Sequence, residues 1–370
     1  MSLIVQKYGG SSLANIEKLK KISEMITAVK NTGNDVVAIV SAMGKTTNSL
    51  IEMAKEISPN PSRREMDMLL STGERTTMAL LCIALNELGV DAISLTGSQA
   101  GIITNDRHND ARVIEVRPIR VQDELEKGKV VVIGGFQGVS YKRDITTLGR
   151  GGSDTSAVAL AAALNAERCE IYSDVDGVYT TDPNLVKDAK HLPEISYQQI
   201  QEMAEAGAKV LNAQAVQFAK EAKITLFARS TFNSGKETII KEVTKKELSG
   251  VRAVVYETDI IRVLINNTSK IELAAQLLEE NQISMKEFQY SALGKDSGYK
   301  CSFIISKKNI YNWEETREIL INNLKDDIYL NESFSTLSII GEGFSRSNIV
   351  LLETLKLLRD NNIYYYGVGI

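Results

Sequence analysis

Leu3-Ile4-Val5-Gln6-Lys7-Tyr8-Gly9-Gly10-Ser11-Ser12 reads as a short apolar strand that runs out into a glycine pair. Behind it Ile16, Leu19, Ile22, Ile26 and Val29 recur at helical spacing, so a helix with one apolar face follows the turn. The same figure repeats down the chain. Strands are expected at 36–40, 90–95, 130–133 and 170–173. A polar loop with Pro59 and Pro61 leads into a long helix over 63–88 that ends at Gly89. An Ala-rich helix opens at Ser153 and runs to about residue 165. Strands regularly followed by helices predict the α/β class, with a mostly parallel sheet filling a first domain over 1–235.

After Gly235 the texture changes. Residues 236–250 are polar and charged and read as a linker. Beyond it a strand at 260–265, a helix at 270–281, strands at 283–291 and 299–305 and a helix at 313–324 make one unit, 251–332. A strand at 337–340, a helix at 347–361 and a strand at 363–368 begin a second, 333–370. This order predicts a tandem of small ferredoxin-like α+β units. The second unit stops at Gly369-Ile370 within strand-like sequence. It is read either as a shortened chain or as a unit completed by another protomer, because an unfinished sheet leaves backbone groups unpaired.

The 370 residues correspond to two or three domains at about 150 residues each. The charge sum, 43 − 47 = −4, with a pI near 5.6, provides no global basic field, so neither nucleic acid nor an anionic membrane is expected as partner. His108 and His191 are the only histidines, which disfavours imidazole metal sites. Cys82, Cys169 and Cys301 stand far apart in apolar surroundings and read as buried, reduced thiols of a cytoplasmic protein. No apolar run reaches the length of a membrane span, and the N-terminus lacks a signal-peptide pattern.

Four glycine-rich turns sit where strands end: Gly9-Gly10-Ser11-Ser12, Ser41-Ala42-Met43-Gly44, Gly134-Gly135-Phe136-Gln137-Gly138 and Gly149-Arg150-Gly151-Gly152-Ser153-Asp154. Glycine lets backbone approach a ligand closely, and helix N-termini attract anions, so the set favours phosphate chemistry. The familiar motifs fail in detail. Gly44-Lys45-Thr46 has Ile39 where a P-loop needs glycine, and Asp154 replaces the third glycine of a dinucleotide fingerprint. Lys7 suits charge neutralisation of a transferring phosphoryl group, or simply caps an edge strand. Arg150 suits a bidentate carboxylate contact, or is a solvated loop residue. Gly73, inside the long helix, suggests a kink or a close ligand. Glu74 beside it suits a substrate ammonium, or is a surface carboxylate. The run Ser173-Asp174-Val175-Asp176-Gly177-Val178-Tyr179 could hold a base and ribose, or be an Asx-rich turn. Asp154 and Asp174 are candidate Mg²⁺-linked or orienting carboxylates, though neither makes a metal cage alone.

Taken in order, Lys7-Tyr8-Gly9-Gly10-Ser11-Ser12, Ser41-Ala42-Met43-Gly44, Ser71-Thr72-Gly73-Glu74, Gly134-Gly135-Phe136-Gln137-Gly138, Thr146-Thr147-Leu148-Gly149-Arg150-Gly151-Gly152-Ser153-Asp154, 173–179 and Gly207-Ala208-Lys209-Val210-Leu211 resemble the motifs of the aspartokinases, in the amino-acid kinase superfamily. The resemblance runs from the start to about residue 230, with the C-terminal part similar to paired ACT regulatory domains. It implies a three-layer αβα sandwich and phosphorylation of L-aspartate by ATP with Mg²⁺, giving 4-phospho-L-aspartate and ADP. It implies that Lys7 bridges the phosphates while Asp154 orients it, and that Gly9, Gly10, Ser11, Ser41 and Gly44 cradle phosphate. Thr47, Glu74, Arg150, Gly151, Gly152 and Ser153 would then bind aspartate. Ser173, Asp174, Tyr179, Asp182 and Lys209 would meet the nucleotide. Gly341, Glu342, Gly343, Phe344 and Ser345 would form an effector turn for lysine, or threonine second, in a homodimer or dimer of dimers.

Departures from the family pattern fall at Asn184, where many relatives carry arginine, and at Asn212-Ala213-Gln214, where relatives often carry His-Pro-Arg and a local cation is lost. Two other readings stand beside this one. The first is a related kinase acting on glutamate, carbamate, acetylglutamate or a nucleotide; the second is an amino-acid-binding regulator with a dead kinase site.

Overall fold

The computed structural model describes residues 2–208, 210–233, 235–242, 250–290, 301–307, 310, 313–342, 344 and 347–369. They divide into two units, Met1–Val243 and Thr244–Ile370. The first comprises β1 (Leu3–Tyr8), α1 (Ile16–Asn31), β2 (Asp35–Val40), α2 (Thr46–Ile57), α3 (Arg63–Glu87), β3 (Ala92–Leu95), β4 (Ile102–Thr104), β5 (Val113–Val116), α4 (Ile119–Glu126), β6 (Val130–Gly134), β7 (Gln137–Ser140) and β8 (Ile145–Thr147). It continues with α5 (Gly152–Ala163), β9 (Arg168–Ser173), β10 (Val178–Tyr179), β11 (His191–Leu192), β12 (Glu194–Ser196), α6 (Tyr197–Glu205), α7 (Ala213–Ala222), β13 (Thr225–Ser230) and β14 (Glu237–Lys241).

The main sheet has the order β12-β14-β13-β9-β1-β2-β6-β3 and is parallel except where β13 meets β14. Its central strands are apolar on both faces, as a sheet covered by helices on each side requires. Tyr8, Ala38, Val40, Val130 and Val132 pack with Leu19, Ile22 and Ile26 of α1 and Leu81 and Leu85 of α3. By length and composition α3 could cross a membrane; here Met78, Leu81, Cys82 and Leu85 bury its inner face in this core.

A buried polar cluster locks the central register. Glu170 on β9 accepts from Gln6 Nε2 of β1 at 2.8 Å and pairs with Arg168 at 2.9 Å and with Arg229 of β13 at 2.8 Å. Burial pushes its carboxyl up, but Gln6 and the two guanidiniums outweigh that and hold it below the usual carboxylate range. A second, four-stranded sheet of order β5-β4-β7-β8 stands apart from the main one. Its strands are three or four residues long, too short to show a period in the sequence.

The expected linker at 236–250 is corrected in its first part. Glu237–Lys241 is a strand of the main sheet, because Thr238 and Ile240 alternate inward while Glu237 and Lys241 pair with Arg229 and Glu194. Residues 243–249 lie outside the described residues.

The second unit holds β15 (Gly250–Ile265), α8 (Ile271–Glu280), β16 (Lys286–Tyr290), β17 (Cys301–Ser306), α9 (Trp313–Leu324), β18 (Ile328–Glu342) and α10 (Ile349–Asp360). Its sheet order, β16-β17-β15-β18, is that of a ferredoxin-like unit, with Val263, Ile265, Phe303 and Ile305 packed on Leu278, Trp313 and Leu320. The expected boundary at 332/333 falls inside β18, which pairs along all of β15. The strand expected at 363–368 is absent among the described residues, and Tyr364, Tyr365 and Tyr366 are exposed there.

Replacing Glu170 with alanine leaves two guanidiniums beside an empty buried site. It should lower unfolding free energy by about 3 kcal/mol in chemical denaturation. A change under about 0.5 kcal/mol would show that the cluster does not hold the sheet.

Candidate active site

Five parallel strands end side by side. Ser230 of β13 pairs with Ser173 of β9, Tyr172 with Tyr8, Tyr8 with Val40, and Val40 with Gly134 of β6. The turns after β9, β1, β2 and β6 therefore meet at one carboxyl edge, where open α/β sheets bind ligands.

Lys7 lies on the α5 side of β1. Its Nζ is 2.7 Å from Asp154 Oδ1 in the first turn of α5, and both side chains are nearly buried, at 12% and 11% exposure. The expected pair thus exists, and Asp154 fixes where the ammonium points. The backbone cradle differs from expectation. The N–H of Gly9 donates to Tyr172 O at 3.2 Å, that of Ser41 to Tyr8 O at 3.1 Å and that of Gly44 to Gly10 O at 3.0 Å. Those three donors stitch the loops together. Among the described residues the N–H groups of Gly10 and Ser11 make no hydrogen bond within the chain, and they are the donors left for an anion. The Ser41 hydroxyl donates to Ser153 Oγ at 2.9 Å, joining the β2 turn to the start of α5.

Glu74 is not a surface carboxylate: it is 3% exposed. The helix runs unbroken through Gly73. A Cβ there would come within 2.8 Å of Ala42 Cβ, so glycine is what lets α3 press against the β2 turn. That contact brings Glu74 Oε1 to 3.0 Å from the Ala42 N–H. Its Oε2 has no hydrogen-bond partner among the described residues. Burial pushes the carboxyl up to about 7, against the pull of the Ala42 donor. A buried carboxylate oxygen left open suits a cationic ligand group.

Arg150 sits between Gly149 (φ 69) and Gly151 (φ 73), both left-handed, and is itself exposed. Gly151 is the N-cap of α5, and Gly152 and Ser153 form its first turn. Thr47 is half-buried in the first turn of α2, beside Thr46, whose methyl approaches Gly73. Asp67 of α3, fully buried, holds the 105–112 loop through His108 Nδ1 at 2.6 Å, the Asn109 N–H at 3.0 Å and the Thr147 hydroxyl.

On the β9 side Asp174 is exposed, while Ser173 Oγ accepts from the Val175 N–H at 3.1 Å. Asp182 Oδ1 accepts from the Asn184 N–H at 2.9 Å, so Asn184 serves the turn through its backbone. The Tyr179 hydroxyl donates to Asp176 at 2.6 Å, and its ring lies edge-on to His191 with Lys236 Nζ 5.9 Å above it. The polar turns and the candidate base platform are thus the same segment. Lys209, Gly343 and Ser345 lie outside the described residues. Gly341 and Glu342 are not in a turn. They end β18, opposite Val251 and Gly250, and a Cβ on Gly341 would strike Gly250 O and the Phe344 ring.

A profile of the amino acid kinase family matches residues 2–230. The aspartokinase of Bacillus sp. (strain MGA3) is 44% identical over 372 aligned residues, 98% of this chain and 90% of that relative. The chain belongs to the aspartokinases of the amino acid kinase family. E. coli aspartokinase III in complex with aspartate and ADP has the same fold, with TM-score 0.84 at 24% identity over 99% of this chain and 94% of that one. The same relative in complex with lysine and aspartate gives TM-score 0.72 at the same identity and coverage. The activity of the family, ATP-dependent phosphorylation of aspartate, is therefore that of this chain.

Among the described residues no group of three or more His, Cys, Asp or Glu side chains gathers to hold a metal. An ion carried on nucleotide phosphates and water needs one or two carboxylates, and Asp154 and the exposed Asp174 fit that requirement.

Sequence reasoning missed that the N–H groups of Gly9, Ser41 and Gly44 are committed, and that Asn212 reaches this site. Glu74 generates a prediction of two signs. Its carboxylate must be ionised to take an ammonium, so kcat/KM for aspartate should fall as pH drops through about 7, and Glu74→Gln should abolish that inflection along with most turnover. Because the folded carboxyl titrates above its unfolded value, the native state binds the extra proton, and stability falls as pH rises from about 4.5 to about 7. Glu74→Gln should therefore be more stable than the parent at pH 8, by on the order of 1 kcal/mol in thermal denaturation.

Proposed function

We propose that the chain transfers the γ-phosphoryl group of ATP to the β-carboxylate of L-aspartate, giving 4-phospho-L-aspartate and ADP. The observation that carries this reading is Glu74. It is a buried carboxylate with one oxygen open, at the same sheet edge as an exposed arginine and a caged lysine. An α-amino acid offers the matching ammonium and α-carboxylate. Glu74 takes the first and Arg150 the second, with Thr47, Gly151, Gly152 and Ser153 lining the substrate.

The nucleophile is the substrate's own β-carboxylate, ionised at neutral pH, so no strong base is required. One of its oxygens bonds to Pγ as the bond from Pγ to the bridging oxygen breaks, and the leaving electron pair stays on ADP. Lys7 neutralises charge on the phosphoryl oxygens, and Asp154 prevents its ammonium from swinging away. The free N–H groups of Gly10 and Ser11 donate to phosphate, with Gly9, Ser41 and Gly44 shaping the cradle. Ser173, Asp174, Tyr179, Asp182 and Lys209 receive the nucleoside. Magnesium, when bound to the phosphates, supplies further charge neutralisation, and Asp154 and Asp174 would hold it.

The reaction opens the route to lysine, threonine and methionine in the cytoplasm, and the second unit serves feedback inhibition. Lysine is the first candidate effector, on the precedent of the lysine-bound relative, and threonine the second, with Gly341, Glu342, Gly343, Phe344 and Ser345 nearby. A homodimer or dimer of dimers is the working assembly. Effector and aspartate affinities must then be coupled reciprocally.

ADP release should depend on L-aspartate, be negligible with glutamate, and be suppressed by lysine or threonine. Lys7→Ala should keep the native circular dichroism while losing on the order of 10³ in kcat. Turnover retained in that variant would remove Lys7 from its role, and turnover with glutamate alone would move the chain to a different acceptor.

A further inference from the structure

Asn212 opens the Asn212-Ala213-Gln214 triplet, which departs from the family pattern with the loss of a local cation. The structure gives it a different occupation. It is the N-cap of α7, with Oδ1 accepting from Gln214 N–H at 2.8 Å and Ala215 N–H at 3.4 Å. The other end of the same amide, Nδ2, donates to the carbonyl of Arg150 at 2.9 Å. A Cβ built on Gly151 would lie 2.9 Å from Asn212 Cβ, so the two segments are in tight contact. On the opposite side the same loop abuts Asp110, whose Oδ1 would be 2.8 Å from a Cβ on Gly149.

Residues 149–151 need such a clamp. Two left-handed glycines flank Arg150, and a glycine backbone loses more freedom on ordering than any other. The Arg150 side chain is exposed and forms no ion pair among the described residues, so nothing at the guanidinium end fixes it before substrate arrives. The Gly149 and Gly151 carbonyls accept from N–H groups of α5, and the Asn212 amide ties the Arg150 carbonyl between them to α7.

We propose that Asn212 is a positioning residue for aspartate. Its amide holds the Arg150 carbonyl, and so presets the loop from which the guanidinium meets the substrate α-carboxylate. The inference deepens the reading of Arg150 given above and rests on it. The chemistry demands an amide. A carboxylate at this position caps α7 equally well but cannot donate to a carbonyl.

The test is Asn212→Asp against Asn212→Ala. Asn212→Asp should keep the parent Tm, because the cap survives, and Asn212→Ala should lower it. Both should raise KM for aspartate about five- to tenfold, the worth of one lost hydrogen bond, while KM for ATP stays within about twofold. Hydrogen exchange at 148–153 should speed up in Asn212→Asp and stay unchanged in β1 and β9. An unchanged aspartate KM and unchanged exchange in Asn212→Asp would overturn the proposal. So would a KM rise shared equally by ATP, or a Tm loss matching that of Asn212→Ala, since either marks a merely structural cap. Should the parent enzyme show no aspartate-dependent turnover, the substrate reading falls by itself, and the exchange comparison alone decides whether the clamp exists.

Discussion

The site depends on the registration of β1 against β9 and β13, and that registration is fixed by one buried carboxylate. Glu170 reaches Gln6 on one neighbouring strand and Arg229 on the other, at 2.8 Å each. Side chains on a strand alternate between faces, so a slip of one residue would carry Lys7 from the α5 side to the α1 side and bury Gln6 against Asp154 instead. A slip of two would keep the faces but move the strand ends out of line by nearly 7 Å. Either would break the row Tyr172, Tyr8, Val40 and Gly134, at which the turns after β9, β1, β2 and β6 begin. A polar cluster is a costly way to hold a sheet, since desolvation opposes it. It is also the more selective one, because an apolar cluster tolerates sliding and a set of directional bonds does not.

The same trade runs through Glu74. Its depth comes from Gly73 allowing α3 to touch the β2 turn, and its Oε1 is satisfied by a backbone donor. Its Oε2 is left open at a cost in stability above neutral pH, visible as the raised carboxyl. Folding alone gives no reason to retain such a group. An ammonium ligand does, because the unpaired charge that penalises the empty protein becomes an ion pair in the complex. Lys7 and Asp154 are the opposite case. They neutralise one another, and in the proposed reaction such a pair keeps a cation pre-aimed so that little reorganises when charge moves.

Much of this was legible in the sequence for definite reasons. The central strands are runs of branched apolar residues, and α1 and α3 carry long apolar periodicity, so β1, β2, β6, β9 and their helices announce themselves. Four glycine turns after strands mark the edge that binds phosphate. What escaped was decided by tertiary contact. The helix α2 begins within polar sequence at Thr46, and strands of three residues, such as Ile102–Thr104, leave no period to read. Glu237–Lys241 looks like linker because its outward residues are charged; its pairing with β13 and β12 and the burial of Thr238 and Ile240 make it a strand. The burial of Glu74 and the reach of Asn212 could not be read at all, since each depends on a residue more than 30 positions away.

In the function proposed above, the two halves of the site are built from different material. The phosphate half is backbone: loop amides and a lysine on a strand, stitched together by Gly9, Ser41 and Gly44. The aspartate half is side chains carried by helices and by one glycine-flanked loop: Glu74 on α3, Thr47 on α2, Arg150 ahead of α5. Backbone donors survive substitution, whereas side chains change with a single codon. A sheet edge of this design can therefore keep its phosphoryl chemistry while its acceptor specificity changes, which is why the fold alone does not name the substrate and the residues around Glu74 must. On that reading part of the specificity rests on a loop flanked by two left-handed glycines. The 149–151 loop has few backbone constraints of its own, and a neighbouring helix cap provides one that it lacks.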